Sequence, residues 1–370
     1  MTDPALKLAE PSLPPQPRLR LTPRVRRDVL ADRAALRLVA ARTARPDDSV
    51  ISRVDAEVTE ALELFDARGW ARAPETYHRT PPLPDSIRTR RARSANHRYT
   101  SLTWLDDYEV PPEEPGAARY AEHRSNRLAR AALVEQRASR PWLVCVHGFG
   151  MGSPGLDLRA FRAQHLRSDL GLNLAFPVLP FHGRRNPGGV RSSPAVPGVD
   201  VLDNLHGMAQ AVWDVRQLLR LLRERTDQPI GLMGLSLGGT VAATVASLDE
   251  PDAVLLLAPA VDLPTLMGDL GARFSSDEDA AAALAERSRV VMAPVSPLAL
   301  EPKVPVDRRA IFSGTLDLFA KPSMQAVALW RHWDEPELHW YHGGHVSLFW
   351  SPSARKGIDA SLRRMGLASG

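Results

Sequence analysis

A single cysteine, Cys145, in 370 residues leaves no partner for an internal disulfide and no Cys-based zinc site. It lies in the apolar run Pro-Trp-Leu-Val-Cys-Val and reads as a core residue, not a nucleophile. No stretch approaches the ~18 consecutive apolar residues of a membrane-spanning helix. The opening MTDPALKLAEPSLPPQPRLR has no apolar segment to act as a signal peptide. These absences predict a soluble, cytoplasmic protein without integral membrane association. No internal repeat is visible. Excess charge of either sign is small, the net value being +4. The basic surplus sits in residues 1–100, with 19 Lys and Arg against 13 Asp and Glu. Those arginines are interspersed with acids along helical patterns, and only Arg88 to Arg98 forms a tight cluster, so no nucleic-acid partner is expected. What is present is ordinary globular usage, 44% apolar and 24% charged, in a length that allows two domains or one large domain with additions.

Residues 1–24 are Pro-rich and read as disordered. Two amphipathic helices are predicted next, from about Arg27 to Ala44 and from about Val50 to Ala67, the second with Val54, Val58, Leu62 and Phe65 at spacings of four, four and three. Gly69 stops it. Residues 70–95, carrying four prolines and the start of the arginine cluster, read as an irregular connection. From Arg98 the pattern changes to short strands at Tyr99–Trp104, Arg127–Glu135, Trp142–Val146 and Leu172–Leu179. A long helix at Val201–Leu222 precedes strands at Ile230–Gly234, Ala253–Ala258, Ala310–Phe312 and Leu338–Tyr341, with helices between and after them. Continuous apolar runs alternating with helices predict an α/β chain: a mostly parallel central sheet with helices on both faces.

The strongest motif is Gly234-Leu235-Ser236-Leu237-Gly238-Gly239, directly after a strand and before a helix. A serine hydroxyl that must stand clear of a sheet needs a tight strand-to-helix turn, and only glycine fits two residues on either side. The turn also puts Ser236 at a helix N-terminus, where free N–H groups favour developing negative charge. The second motif, His147-Gly148-Phe149-Gly150-Met151-Gly152, follows the strand Trp142–Val146. A tetrahedral intermediate needs two N–H groups aimed at one oxygen. They are assigned to the backbones of Phe149 and Leu237, with Gly150 as the substitute for the first. His147 reads as a structural histidine. Gly150 to Gly155 also fits G-x-G-x-x-G, but Pro154 is not expected to open a helix at once, and the next strand ends in Pro180-Phe181-His182, without the acid a ribose needs.

Two later loops supply a base and an acid. Ser313-Gly314-Thr315-Leu316-Asp317 ends one strand, and Gly343-Gly344-His345 ends the next. In a parallel sheet both loops lie on the edge that holds Ser236. His345 then takes the Ser236 proton, and Asp317 fixes its tautomer. Asp262, after the strand Ala253–Ala258, competes for the acid role; it is also placed to cap a helix over Leu263-Pro264. A metal site of His345 with His339 and His342 is not expected, since a spacing of three along a strand splits side chains between faces.

Taken together, these blocks resemble the α/β-hydrolase superfamily, in particular its serine hydrolases of the esterase, lipase and dienelactone-hydrolase kind. The resemblance covers residues 96–370 and implies an α/β-hydrolase domain behind a helical extension at 1–95. That extension is expected to pack on the domain or mediate self-association, outside the chemistry. The resemblance also implies a cap inserted at about 263–305. Leu266, Met267, Leu270, Phe274 and Leu284 give the insertion an apolar face that would roof an acyl pocket or pack on the core. The loop Phe181 to Val199, with Arg184, Arg185 and Arg191, reads as a solvated basic loop, with an anion contact as the alternative. The function implied is a serine hydrolase cleaving a carboxylic ester, or a related acyl bond, of a small-molecule substrate through an acyl-enzyme, without cofactor or metal. An acyltransferase or peptidase would use the same residues, and a non-catalytic binding protein would have no need of all three.

Overall fold

The computed structural model describes residues 22–42, 47–136, 139–189, 196–271 and 278–368. Most of the Pro-rich segment, and with it Arg191 and Phe274, lie outside the described residues. Two helices come first, α1 (Pro23–Arg42) and α2 (Asp48–Arg68). In α2 the buried residues Val54, Val58, Ala61 and Phe65 repeat at four, three and four, which makes one stripe on a 3.6-residue turn. Gly69 ends it with φ of 77°, a left-handed C-terminal position that suits glycine.

Nine strands form one sheet among the described residues: β1 (Ile87–Ser94), β2 (His97–Leu105), β3 (Leu128–Val134), β4 (Trp142–Val146), β5 (Asn173–Pro177), β6 (Ile230–Leu235), β7 (Ala253–Leu257), β8 (Arg309–Gly314) and β9 (Glu337–Tyr341). Their order is β1-β2-β3-β5-β4-β6-β7-β8-β9. The pairs from β1 through β3 to β5 are antiparallel, and every pair from β5 to β9 is parallel. The intervening helices are α3 (Ala117–Ala121), α4 (Pro154–Ala160), α5 (Ala163–Ser168), α6 (Val201–Arg223), α7 (Leu237–Leu248), α8 (Leu263–Gly271), α9 (Glu278–Val291) and α10 (Ala326–His332), with α11 (Pro352–Arg364) last. One core cluster joins α2, α6, α7 and α10 to one face of the sheet, and a second joins α4, α5 and α11 to the other. Strands β4, β6, β7 and β8 are buried along their whole length, which is why they read as continuous apolar runs. No helix among the described residues is long and apolar enough to cross a membrane.

Two expectations change. Residues 87–94, taken as irregular, form β1, paired residue by residue with β2 from Ile87↔Trp104 to Ser94↔His97. The two-residue turn Ala95-Asn96 has positive φ at both positions, 47° and 64°, the twist a tight hairpin prefers. The ladder alone makes this strand, because an edge strand solvated on both sides needs no apolar alternation, and its arginines blunt the free edge. The boundary drawn between 95 and 96 therefore runs through a hairpin turn. The insertion at 263–305 packs on the core: Leu266 and Leu284 join the cluster of α6 and α7, and Arg287 on α9 pairs with Asp55 on α2. Of its two expected roles, core packing is the one these side chains take.

Connections leave β4 toward β5 on one side and β6 toward β7 on the other. The crevice at the carboxyl ends of β4 and β6 is thus a switch point, where open α/β sheets hold their ligands.

Candidate active site

Ser236 occupies that crevice, as the single residue between β6 and α7. Its φ of 52° and ψ of −114° are unfavourable for a residue with a side chain and persist only where the surroundings enforce them. A methyl group on Gly234 would overlap the Gly238 carbonyl, and one on Gly238 would overlap the Val146 and His147 carbonyls. Both motif glycines are therefore required by close backbone approach. The Ser236 N–H donates to Leu257 O at 2.9 Å, and its own carbonyl accepts from Gly239 N–H at 2.8 Å, which pins the turn from both ends.

The loop after β8 brings Asp317, and the loop after β9 brings His345. The Asp317 carboxylate lies 2.7 Å from His345 Nδ1, and His345 Nε2 lies 3.0 Å from Ser236 Oγ. The other Asp317 oxygen accepts from the Phe319 and Ala320 N–H groups at 2.9 and 2.8 Å, so the carboxylate cannot swing away. The Asp317 side chain is 1% exposed and that of His345 14%. Burial opposes protonation of His345, yet its pKa is raised above the ordinary histidine value. The Asp317 carboxylate favours the imidazolium by charge and hydrogen bond, and Asp32 adds further negative charge. Asp262, the competing acid, lies elsewhere. It accepts from the Thr265 N–H at 3.1 Å and hydroxyl at 2.7 Å at the start of α8, and pairs with Arg289 at 2.7 Å.

On the β4 side, a methyl on Gly148 would sit 3.4 Å from the Ser236 Cβ, so the loop that carries Phe149 lies against Ser236. Leu237 is the first residue of α7 and has no intrahelical acceptor for its N–H. Neither that amide nor the Phe149 amide donates to a backbone acceptor among the described residues. His147 is buried; its Nε2 accepts from Leu179 N–H at 3.1 Å, and its Nδ1 bonds the Gly148 carbonyl at 2.9 Å. Burial, aided by neighbouring His182, pushes its pKa down to about 3. It is a neutral tie between loops. Of the other histidines near the sheet edge, His339 stacks on Phe312 with centroids 4.6 Å apart and bonds Glu337 at 2.5 Å.

Three readings need correction. Helix α4 does begin at Pro154, with proline in its first turn, where its missing N–H costs nothing. β5 itself ends at Pro177, and the argument against a dinucleotide then rests only on the lack of an acid in the Val178-Leu179-Pro180-Phe181-His182 that follows it. Arg185 is not solvated. It is fully buried between Asp106, 3.1 Å from its Nη2, and Asp214, which its Nη1 contacts closely, and it also donates to the Asn126 and Val178 carbonyls. Finally, the N-terminal extension reaches the site. Asp32 on α1 is buried, and its carboxylate accepts from the N–H groups of His345 at 2.7 Å, Val346 at 3.0 Å and Leu318 at 3.3 Å. The available signal was a pair of acids, Asp28 and Asp32, in register with Val25 at spacings of three and four, on the stripe that α1 buries.

No family model matches the chain. Two Mycobacterium tuberculosis proteins do, the uncharacterized protein MT2702 of strain CDC 1551 and the uncharacterized protein Rv2627c of strain H37Rv. Each is 39% identical over 321 residues, covering 86% of this chain and 77% of the relative. Among solved structures, acetyl xylan esterase 1 from a Thermoanaerobacterium species is similar with a TM-score of 0.50 and 13% identity, over 89% of this chain and 96% of that one. At that identity the likeness is one of fold.

Proposed function

The chain belongs to the family of these mycobacterial proteins and has the α/β-hydrolase fold, and from that premise we propose that it is a serine hydrolase cleaving a carboxylic ester of a small molecule. One observation carries the proposal: Asp317, His345 and Ser236 form a continuous hydrogen-bonded line, 2.7 and 3.0 Å long in its two links, ending on a serine at a strained elbow. In this reading His345 Nε2 takes the hydroxyl proton as Ser236 Oγ attacks the acyl carbon. The oxygen that becomes negative is met by the Phe149 and Leu237 N–H groups, the second reinforced by the dipole of twelve-residue α7. His345 returns the proton to the leaving alcohol, then deprotonates the water that releases the acid. Asp317 holds the Nδ1–H tautomer and stabilises the imidazolium. The steps need no metal or organic cofactor.

The test is covalent labelling with a fluorophosphonate, together with hydrolysis of p-nitrophenyl esters of graded chain length. Wild type should be labelled and should turn over ester. Ser236→Ala should lose both without loss of fold, because the elbow is set by its glycines. Labelling that persists in Ser236→Ala would place the nucleophile elsewhere.

A further inference from the structure

The three triad positions come from three loops, and two of those loops have a common anchor outside the sheet. Asp32, on the first helix of the chain, binds Leu318 N–H, the residue after the triad acid, and both His345 N–H and Val346 N–H. One carboxylate therefore spans the loop after β8 and the loop after β9, 286 and 313 residues away in sequence. Its neighbour one turn earlier, Asp28, is also buried and accepts from Trp350 Nε1 at 3.2 Å, fixing α1 against the segment that follows His345. Gly344 is the matching feature on the other side: a methyl there would overlap the Asp32 carboxylate, and the three nearest atoms all belong to Asp32. Its φ lies outside the left-handed range. Close approach of the carboxylate, not backbone conformation, is what calls for glycine.

A buried carboxylate that serves only to hold a helix has no reason to spend both oxygens on main chain flanking two triad residues. Resting on the serine-hydrolase reading, we propose that Asp32 is a positioning residue: it fixes the His345 backbone relative to Asp317 and supplies a second negative charge behind the imidazole. The groups that face His345 are then Asp317 from the loop after β8, Asp32 from α1 and Ser236 from the elbow; Asp28 approaches Gly343, two residues earlier, and Tyr341 on β9 lies near Asp317 and Asp32. Arg27, which pairs with Asp28, is 65% exposed, too solvated to cancel a buried charge. Asp32 itself is harder to ionise than usual, because burial outweighs its three N–H donors and Asp317 repels it. The N-terminal extension is thereby a part of the reaction centre's support, contrary to the expectation that it stands outside the chemistry.

The test is Asp32→Asn in the full chain, with Gly344→Ala as a second variant that displaces the carboxylate without changing any residue of α1, and exposed Arg33→Gln on the same helix as control. Two measurements are made: the pH dependence of kcat/KM on a p-nitrophenyl ester, and titration of the His345 imidazole by NMR, which needs no substrate. Loss of the charge should lower the His345 midpoint by about half a pH unit. Loosening of the loop should lower kcat by about 10- to 100-fold. Asp32→Asn and Gly344→Ala should shift in the same direction, and Arg33→Gln should match wild type. A role confined to stability would lower Tm and leave both midpoints in place, which overturns the proposal. Wild-type turnover with an unshifted Asp32→Asn removes the positioning role and leaves the hydrolase reading intact. A wild-type protein that neither labels nor turns over sinks that parent reading and the kinetic role of Asp32 with it; the NMR titration then decides the charge coupling alone.

Discussion

Replacing Asp317 with asparagine is the most informative single change, because the structure dictates which way the new amide must face. One oxygen of Asp317 already accepts from two backbone N–H groups, those of Phe319 and Ala320. An asparagine keeps its carbonyl oxygen there, since turning the NH2 toward two donors would leave both unpaired in a site that is 1% exposed. The NH2 is then left facing His345 Nδ1, 2.7 Å away in the parent. A donor at that position forces Nδ1 to be the acceptor and moves the ring proton to Nε2, the nitrogen that takes the proton from Ser236 in the proposed mechanism. The expected loss is about 10⁴-fold in kcat, with little change in fold because the shape is kept. Asp262→Asn supplies the contrast. It weakens a pair with Arg289, which is 41% exposed, worth at most about 1 kcal/mol, and leaves the cap on Thr265, so kcat should stay near wild type. Matched kinetics on the two variants decide the point, provided thermal melts show both folded. An Asp262→Asn variant more damaged than Asp317→Asn would refute the reasoning.

Two further outcomes follow from the same geometry. In the proposed mechanism His345 is a base only when neutral, and its pKa is raised above the ordinary 6.5, so kcat/KM should fall as pH drops through a midpoint above 6.5; a pH–rate profile with an acid limb clearly below that value contradicts the assignment. Arg185→Leu leaves Asp106 and Asp214 buried without their counter-ion, which should cost about 3–5 kcal/mol and lower Tm by about 5 °C in a chain of this length; calorimetry showing an unchanged Tm would mean that the cluster is not a charge-paired one.

The parts of this molecule that were legible in the sequence are those whose causes are local. Strands β4, β6 and β7 are buried on both faces, so their own residues are continuously apolar. The elbow announces itself because Gly234 and Gly238 are demanded by atoms within a few residues or on the adjoining strand. Asp317 and His345 each follow a strand at a turn, and chain order alone suggests that they meet. The parts that were not legible have causes far along the chain. Strand β1 has no apolar pattern because its partner, not a core, makes it a strand. Arg185 looks like any loop arginine until the two buried aspartates 79 and 29 residues away are placed around it. Asp32 is the extreme case: nothing adjacent to it in sequence hints at His345, 313 residues on. What distinguishes it is a negative sign, an acid where α1 presents its buried stripe. A buried position in a helix that carries a carboxylate must have its donors supplied by another part of the fold, since isolated burial of that charge is prohibitive. Two such acids one turn apart on one helix therefore point to a polar partner surface, and in this chain that surface is the backbone around the histidine.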